Sequence, residues 1–197
     1  MISLVSVIMP YYNKRNYFIK SISSVLNQTY INLEILIVYD DQKRDDLEYI
    51  QDCIKEDSRA KIILNDKNRG VAFSRNKAIS VARGEYIAFL DCDDYWEANK
   101  IEMQMNFMLT NGYDFSYTTY QVINSEGKIV KKIKARKKLE YNELLKSCDI
   151  GLSSVILKRK LLNNIKFPEL KTKEDFVLWL SLAKKSVALI GFDKPLM

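Results

Sequence analysis

The sequence has 197 residues, of which 47% are hydrophobic and 28% charged, a balance typical of a folded globular protein rather than a disordered one. It contains no histidine, which excludes Ser-His-Asp catalysis and histidine-ligated zinc, and its three cysteines form no CxxC pair. Widely spaced thiols favour a reducing, cytoplasmic location. The N-terminus lacks a basic segment, and no apolar run approaches about 20 residues, so we expect neither a signal peptide nor a membrane span.

Charge is distributed unevenly along the chain. The formal net charge is +6, yet residues 1–100 carry −1 and residues 101–197 carry +7. A basic C-terminal half indicates an anionic partner, which could be a phosphorylated substrate, a nucleic acid or an acidic membrane surface.

Strand and helix signals alternate through the first hundred residues. Short apolar runs predict strands, and apolar side chains repeating every three to four residues predict helices. In chain order the predictions are strand Leu4–Met9, helix Tyr17–Gln28, strand Leu33–Tyr39, helix Asp45–Lys55, strand Lys61–Leu64, helix Val71–Ala82 and strand Tyr86–Leu90. We expect Pro10 to stop the first strand and Gly84 to end the third helix as its C′ residue. Apolar strands separated by helices indicate an α/β fold with a parallel sheet covered on both faces.

The second half is less regular and predicts a mixed arrangement. Its predicted elements are helix Ile101–Leu109, the hairpin strands Phe115–Ile123 and Ile129–Ile133, helix Tyr141–Lys146, strand Ser153–Leu157 and helix Glu174–Ala183. No repeat or Pro/Gly-rich linker interrupts the chain. We therefore expect one domain over residues 1–197, with 1–98 as an α/β part and 99–197 as a mixed part.

Three carboxylates crowd the end of the fourth predicted strand, in the segment Tyr86–Asp94 (YIAFLDCDD). Open α/β sheets bind ligands outside the carboxyl ends of their strands, where Asp91, Asp93 and Asp94 are expected. Like charges this close repel each other, and a divalent cation such as Mg²⁺ or Mn²⁺ relieves the repulsion. A solvated acidic loop is the alternative.

Residues at the ends of the first two strands are expected at the same rim. Pro10–Asn13 (PYYN) and Tyr39–Asp41 (YDD) offer aromatic rings and a carboxylate that could hold a nucleobase, although Pro, Asn and Asp are also common in turns. Arg75, in a helix opened by Gly70, could meet a phosphate or be a solvated side chain.

Two further stretches have both functional and structural interpretations. Glu174 and Asp175 open a helix, where they either complement the helix dipole or supply a general base for a substrate hydroxyl. The segment Lys128–Lys138 has seven Lys or Arg in eleven residues and is either a solvated hairpin or a contact for anionic lipid or a phosphorylated acceptor.

Taken together, these segments resemble the inverting, GT-A-fold nucleotide-sugar glycosyltransferases of family 2, which build bacterial surface polysaccharides. The matching segments, in order, are VSVIMPYYN, EILIVYDD, NRGVAFSRNKAISVARGEYIAFLDCDD and KEDFVLWLSLAKK. The resemblance covers essentially the whole chain from Val5 to Ala183. The run from Asn68 to Asp94 is the most specific part. The resemblance implies a Rossmann-like, mostly parallel sheet flanked by helices, with a smaller acceptor-side part.

The resemblance also implies roles for individual residues. Pro10, Tyr12 and Asn13 match the segment that contacts the nucleotide, and Asp41 matches the carboxylate that reads the uracil edge. Arg75 lies in the helix that faces the diphosphate, where it and the metal stabilise the departing nucleoside diphosphate. Asp91 and Asp93 match the DxD motif, with Asp93 as the ligand of Mn²⁺ or Mg²⁺. Asp175 matches the catalytic base of the family's Glu-Asp pair, with Glu174 as its neighbour.

Partners and location follow from the same resemblance. We expect a nucleotide-sugar donor, a UDP-sugar, and a saccharide or lipid-linked saccharide acceptor, with no nucleic acid. The protein is then cytoplasmic, with peripheral contact at the anionic inner face of the plasma membrane.

The sequence departs from the family pattern at two places. After Asp41 the family usually continues with small residues, whereas this chain reads QKRDD, so the base-binding loop is expected to differ locally. The family often has a histidine downstream of the Glu-Asp helix; this chain ends at GFDKPLM without one, which indicates either a truncated chain or a protein lacking that lid.

Two other functions remain as alternatives. A sugar-phosphate nucleotidyltransferase shares the α/β layout but usually has a Gly-rich N-terminal loop, which PYYNKRN is not. A non-catalytic basic protein that binds RNA or lipid would tolerate loss of Asp91, Asp93 and Asp175.

Overall fold

A computed structural model describes residues 2–197. The strands are β1 (Val5–Tyr11), β2 (Leu33–Tyr39), β3 (Ala60–Leu64), β4 (Tyr86–Phe89), β5 (Phe115–Ile123), β6 (Ile129–Ile133), β7 (Lys138–Leu139), β8 (Val155–Lys158) and β9 (Leu189–Pro195). The helices are α1 (Arg15–Leu26), α2 (Leu47–Ile54), α3 (Val71–Val81), α4 (Lys100–Asn111), α5 (Tyr141–Leu144) and α6 (Glu174–Lys184), with short 3-10 turns at Leu152–Ser154 and Arg159–Leu162.

The central sheet joins both halves of the chain in the order β3-β2-β1-β4-β8-β5-β9-β7, with β6 paired to β5. Strands β1 to β4 are parallel, and β8 runs antiparallel to both β4 and β5. The prediction of an α/β fold with a Rossmann-like, mostly parallel sheet flanked by helices is confirmed. None of the helices in residues 2–197 has the length and apolar character that crossing a membrane requires.

Apolar side chains that alternate between the two faces of the strands fill two cores, one on each side of the sheet. Val7 and Met9 of β1 point into the core covered by α1, α2 and α4, whereas Ile8 between them points into the core covered by α3 and α6. Because side chains of a strand alternate between faces, a nearly continuous apolar run is what a doubly covered sheet needs.

Pro10 does not stop the first strand, as the sequence had led us to expect. Strand β1 continues to Tyr11 and remains paired with β2 through that residue. The Asp40 backbone N–H donates to the Tyr11 carbonyl, and the Leu90 backbone N–H donates to the Ile8 carbonyl. The backbone polar groups of Ile8 and Pro10 are therefore directed toward β4. Pairing with β4 ends at Ile8. Pro10 lies beyond that pairing, so its missing N–H removes no hydrogen bond from the sheet.

Gly84 is required for a reason other than the predicted one. Helix α3 ends at Val81, and Ala82 is already extended, so Gly84 is not a left-handed C′ residue. Its backbone N–H instead donates to Ser6 Oγ at 2.9 Å and Glu34 Oε1 at 3.1 Å. A Cβ at residue 84 would lie 2.7 Å from the Ser6 nitrogen, so only glycine allows this approach.

The predicted strand Ser153–Leu157 begins two residues too early. Ser153 and Ser154 belong to a 3-10 turn, and the strand begins only at Val155. Strand β9 was not predicted, because its residues after Ile190 are only partly buried or exposed and form no apolar run.

Lys100 is buried without a partner. Its side chain is fully buried at the start of α4, and Nζ has no hydrogen-bond partner among residues 2–197, although it lies 4.1 Å from the centre of the Trp96 ring. Burial lowers the pKa of Lys100 well below its ordinary value. Between the lowered pKa and the ordinary one, Lys100 is protonated in the unfolded chain but neutral in the folded chain. Stability therefore falls as the pH falls toward the lowered pKa.

We expect Lys100→Met to raise the free energy of unfolding at neutral pH by about 1–3 kcal/mol, the usual penalty of an unpaired buried polar group. The gain should shrink toward pH 10, where the unfolded lysine also loses its proton. Urea unfolding of both proteins at neutral and alkaline pH measures this. Destabilisation by Lys100→Met at neutral pH would show instead that the contact with Trp96 is net favourable.

Candidate active site

Two clefts meet at the carboxyl ends of the parallel strands. The first has a volume of about 490 Å³ and lies between the ends of β1 and β2, the start of α3 and the acidic loop Asp91–Asp94 that follows β4. Its lining includes Pro10, Tyr12, Asp40 and Arg75. This is the position where open α/β sheets bind their ligands.

The second cleft, of about 350 Å³, lies on the other side of the acidic loop. Its lining includes Asp94, Tyr95, Tyr120 and Asp175. Asp91 and Asp93 line both clefts. Ligands bound in the two clefts would therefore meet across these two carboxylates.

Two of the crowded acids of this loop are paired with cations from other segments. Lys14 Nζ lies 2.7 Å from Asp93 Oδ2, and Arg75 lies 2.7 Å from Asp91 Oδ1. The hydrogen bond to Asp93 raises the pKa of Lys14. Burial, with repulsion from Asp91 and Asp93, raises the pKa of Asp94 to about 6. The loop therefore holds three carboxyl groups close together beside the junction of the clefts, two of them already paired with cations.

Arg75 connects the acidic loop to the first turn of α6. Its two terminal nitrogens contact Asp91 at 2.7 Å and Glu174 Oε1 at 2.5 Å, and its side chain is only 3% exposed. Burial alone would lower the pKa of Arg75, but Asp91 and Glu174 outweigh burial and raise it. Both terminal nitrogens of this arginine are thus engaged by protein carboxylates.

The contact between Arg75 and Glu174 helps to place Asp175 in the second cleft. Asp175 follows Glu174 in the first turn of α6, and its Oδ1 accepts a hydrogen bond from the Phe176 backbone N–H at 2.7 Å. Burial, with the neighbouring charges of Glu174 and Asp91, raises the pKa of the Asp175 carboxyl. A partly buried carboxylate with a raised pKa is suited to accept a proton.

Most of the site residues predicted from sequence come together around the two clefts. Those that line a cleft are Pro10, Tyr12, Arg75, Asp91, Asp93 and Asp175. Asn13 and Asp41 are not among the lining residues. Asn13 is exposed with a φ of 49° at the end of β1, and Asp41 accepts a hydrogen bond from the Lys43 N–H within its own turn. Their assignment to nucleotide contacts stays a prediction.

Asp40, the buried neighbour of Asp41 in the chain, was not predicted as a site residue. Its carboxylate accepts hydrogen bonds of 2.8 Å from the backbone N–H groups of Arg69 and Gly70 and from the Asn65 side chain. It therefore holds the turn that begins α3 and forms one wall of the first cleft. Strand alternation was the available signal, because Tyr39 points into the core under α1 and the next residue points toward α3.

Ser153 was also missed as a site residue. Its hydroxyl donates to Asp94 Oδ2 at 2.6 Å and accepts the Asp91 backbone N–H at 3.1 Å. It thereby ties the first residue of the acidic loop to the last. No sequence pattern indicated this contact, since Ser153 lies about sixty residues downstream.

The residues present fit a divalent cation only when the substrate also contributes ligands. Among residues 2–197, no group of three metal-binding side chains forms a ready-made site. Asp93 is about half exposed and lies at the junction of the clefts. One or two carboxylates completed by substrate phosphates is a usual environment for Mg²⁺ in phosphate-binding sites.

Comparison with known proteins identifies the family. The model of "Glycosyl transferase family 2" matches residues 6–167. WfgD of Escherichia coli, a UDP-Glc:alpha-D-GlcNAc-diphosphoundecaprenol beta-1,3-glucosyltransferase, is 47% identical over 181 residues, which cover 92% of this chain and 70% of WfgD. TuaG of Bacillus subtilis, a putative teichuronic acid biosynthesis glycosyltransferase, is 37% identical over 194 residues, which cover 98% of this chain and 77% of TuaG.

A solved structure agrees with this assignment. TarS 1-349 of S. aureus in complex with UDP superposes with a TM-score of 0.81 at 26% identity, covering 98% of this chain and 59% of the TarS chain. The present chain thus spans a little over half of that structure and about three quarters of the two curated relatives. With a family model over most of its length and a close relative covered for more than two thirds, the chain belongs to glycosyltransferase family 2.

Proposed function

We propose that this protein is an inverting, metal-dependent glycosyltransferase that moves a sugar from a UDP-sugar to a hydroxyl group of a saccharide in bacterial surface polysaccharide synthesis. The observation that carries this proposal is the acidic loop shared by two clefts, with a partly buried carboxylate, Asp175, in the second one only. Residues 1–98 then form the nucleotide-binding part and residues 99–197 the acceptor-side part of one domain.

In this proposal the first cleft holds the donor. Pro10 and Tyr12 line it near the expected position of the base, and Asp91 and Asp93 lie at its junction with the second cleft. Asn13 and Asp41 contact the nucleotide from the neighbouring turns. Binding of UDP by TarS supports uracil as the base. A divalent cation, Mn²⁺ or Mg²⁺, would be held by Asp93 and the diphosphate and would neutralise charge on the leaving group.

The second cleft holds the acceptor. Asp175 takes the proton of the acceptor hydroxyl, and the oxygen attacks the anomeric carbon from the face opposite the diphosphate. The bond from that carbon to the diphosphate oxygen breaks, and its electron pair leaves with the nucleoside diphosphate. A single displacement of this kind inverts the configuration. Arg75 holds Asp91 and Glu174 in place, and so orients both sides of the reaction.

A lipid-linked acceptor fits best. WfgD acts on a GlcNAc attached to undecaprenol through a diphosphate. An acceptor of that class would bring this protein to the inner face of the plasma membrane as a peripheral protein. The nucleotidyltransferase and the non-catalytic binder are not favoured, because neither accounts for the family match together with Asp175 in its own cleft.

Titration of nucleoside diphosphates by calorimetry, with and without Mn²⁺, tests the donor site. UDP should bind best and should require the metal. Asp93→Ala should weaken UDP binding in Mn²⁺ about ten- to a hundred-fold, because one charged ligand is lost. Asp52→Ala, which removes an exposed carboxylate on α2, is the matched control and should bind like the wild type. Equally strong, metal-independent binding of UDP by Asp93→Ala would contradict the metal site.

A further inference from the structure

The hairpin formed by β5 and β6 exposes apolar side chains at its far end. Strand β6 pairs with β5 outside the main strand order, so β6 is an edge strand. Ile129 and Val130, at its start, are 57% and 60% exposed, and Val122 on β5 is 41% exposed. Because neighbouring residues of a strand point to opposite faces, Ile129 and Val130 expose aliphatic side chains on both faces of the hairpin's end.

The same segment supplies lysines whose charge is not neutralised. Of the seven cations in Lys128–Lys138, four form ion pairs with Glu126, Asp193, Asp149 and Glu140 at 2.8–3.2 Å. Lys131, Lys132 and Lys137 are exposed and have no acidic partner within residues 2–197. Two of these lysines directly follow the exposed Ile129 and Val130.

Edge strands often carry lysine simply to prevent pairing with another chain. That role does not explain two neighbouring exposed aliphatic residues beside the lysines. Nor does the surface suit a nucleic acid, because β6 has no aromatic side chain on which a base could stack and the only arginine of the segment is paired with Asp149. Aliphatic side chains flanked by lysines suit the headgroup region of an anionic bilayer.

The register of the hairpin connects this surface to the second cleft. Lys131 lies opposite Val122 and Lys132 opposite Gln121, and both β5 residues line that cleft. Paired strands are about 4.8 Å apart, so the lysines lie within one strand spacing of the cleft wall. A bilayer in contact with β6 would therefore meet the second cleft near its mouth.

We propose that the hairpin of β5 and β6 docks the protein on an anionic phospholipid bilayer, with Ile129 and Val130 entering the headgroup region and Lys131 and Lys132 meeting lipid phosphates. This inference rests on the proposed function for its purpose, since a lipid-linked acceptor would then present its sugar at the second cleft. It locates the membrane contact at named residues of the acceptor-side part.

Sedimentation with phosphatidylcholine vesicles, with and without phosphatidylglycerol, tests the docking surface. The wild type should bind only vesicles that contain phosphatidylglycerol, and high salt should weaken this binding. Lys131→Gln with Lys132→Gln should weaken it about thirty-fold, at roughly 1 kcal/mol for each lysine near the surface. Ile129→Ser with Val130→Ser should weaken it as well. The matched control is Lys55→Gln with Lys61→Gln, exposed lysines near the opposite edge of the sheet, and should bind like the wild type.

Titration of each variant with UDP and Mn²⁺ separates this inference from the donor site, and each should bind as the wild type does. Wild-type protein that binds UDP but not anionic vesicles would overturn the docking surface and leave the proposed function intact. Equal weakening by the hairpin and control lysine variants would also overturn it, because binding would then reflect overall charge alone.

Discussion

Replacing Asp175 by asparagine should lower the rate of sugar transfer by about 10²–10⁴-fold, because the amide cannot accept the proton of the acceptor hydroxyl. Binding of UDP should be unchanged, since Asp175 lines only the second cleft. UDP release from UDP-glucose with a lipid-diphosphate-linked GlcNAc acceptor, the substrate pair of WfgD, measures the rate.

The pH dependence of the wild type should identify the same group. The base must be ionised to act, and burial raises the pKa of Asp175 above its ordinary value. The acid limb of the rate profile should therefore rise through a pH above the range of an ordinary aspartate, and the limb should be absent in Asp175→Asn. Asp52→Asn, on the exposed face of α2, is the control. Unchanged turnover in Asp175→Asn would remove this residue as the base.

Replacing Arg75 by methionine should lower the free energy of unfolding by about 3–5 kcal/mol, the cost of leaving a buried carboxylate without its partner. Glu174 would then be buried and uncompensated, and Asp91 would lose its closest cation. For a chain of this size the melting temperature should fall by about ten degrees. Thermal and urea unfolding measure the loss.

Further substitutions distinguish whether Arg75 joins the two carboxylates or binds the diphosphate of the substrate. Arg75→Met with Glu174→Gln removes both buried charges and should recover much of the stability, while activity stays low because α6 is no longer tied to the acidic loop. Arg75→Lys keeps the charge but cannot reach two carboxylates through two nitrogens, so it should rescue only in part. If Arg75→Met kept full stability and lost only affinity for UDP, Arg75 would act on the diphosphate rather than between the two carboxylates.

Much of the fold could be predicted because its signals are local. Buried parallel strands such as Leu33–Tyr39 must be apolar almost throughout, and helices that cover them must repeat their apolar residues every three to four positions. Those patterns hold within a few residues and need no knowledge of distant contacts. Prediction was weaker where local rules are overridden by neighbours: Pro10 stays within β1 because β4 ends before it, and Gly84 is needed because Ser6 approaches it.

The same distinction between local and tertiary information applies to the candidate site. The sequence by itself determined which residues carry charge at strand and helix ends, and its resemblance to family 2 predicted that Asp91, Asp93 and Asp175 belong to a site. Only the tertiary structure decided how they are held: Arg75 joins Asp91 to Glu174, Ser153 closes the acidic loop, and Asp40, not Asp41, lines the first cleft. The physical reason is that hydrogen bonds and ion pairs depend on side-chain positions fixed by packing between segments as many as a hundred residues apart, which no local spacing encodes.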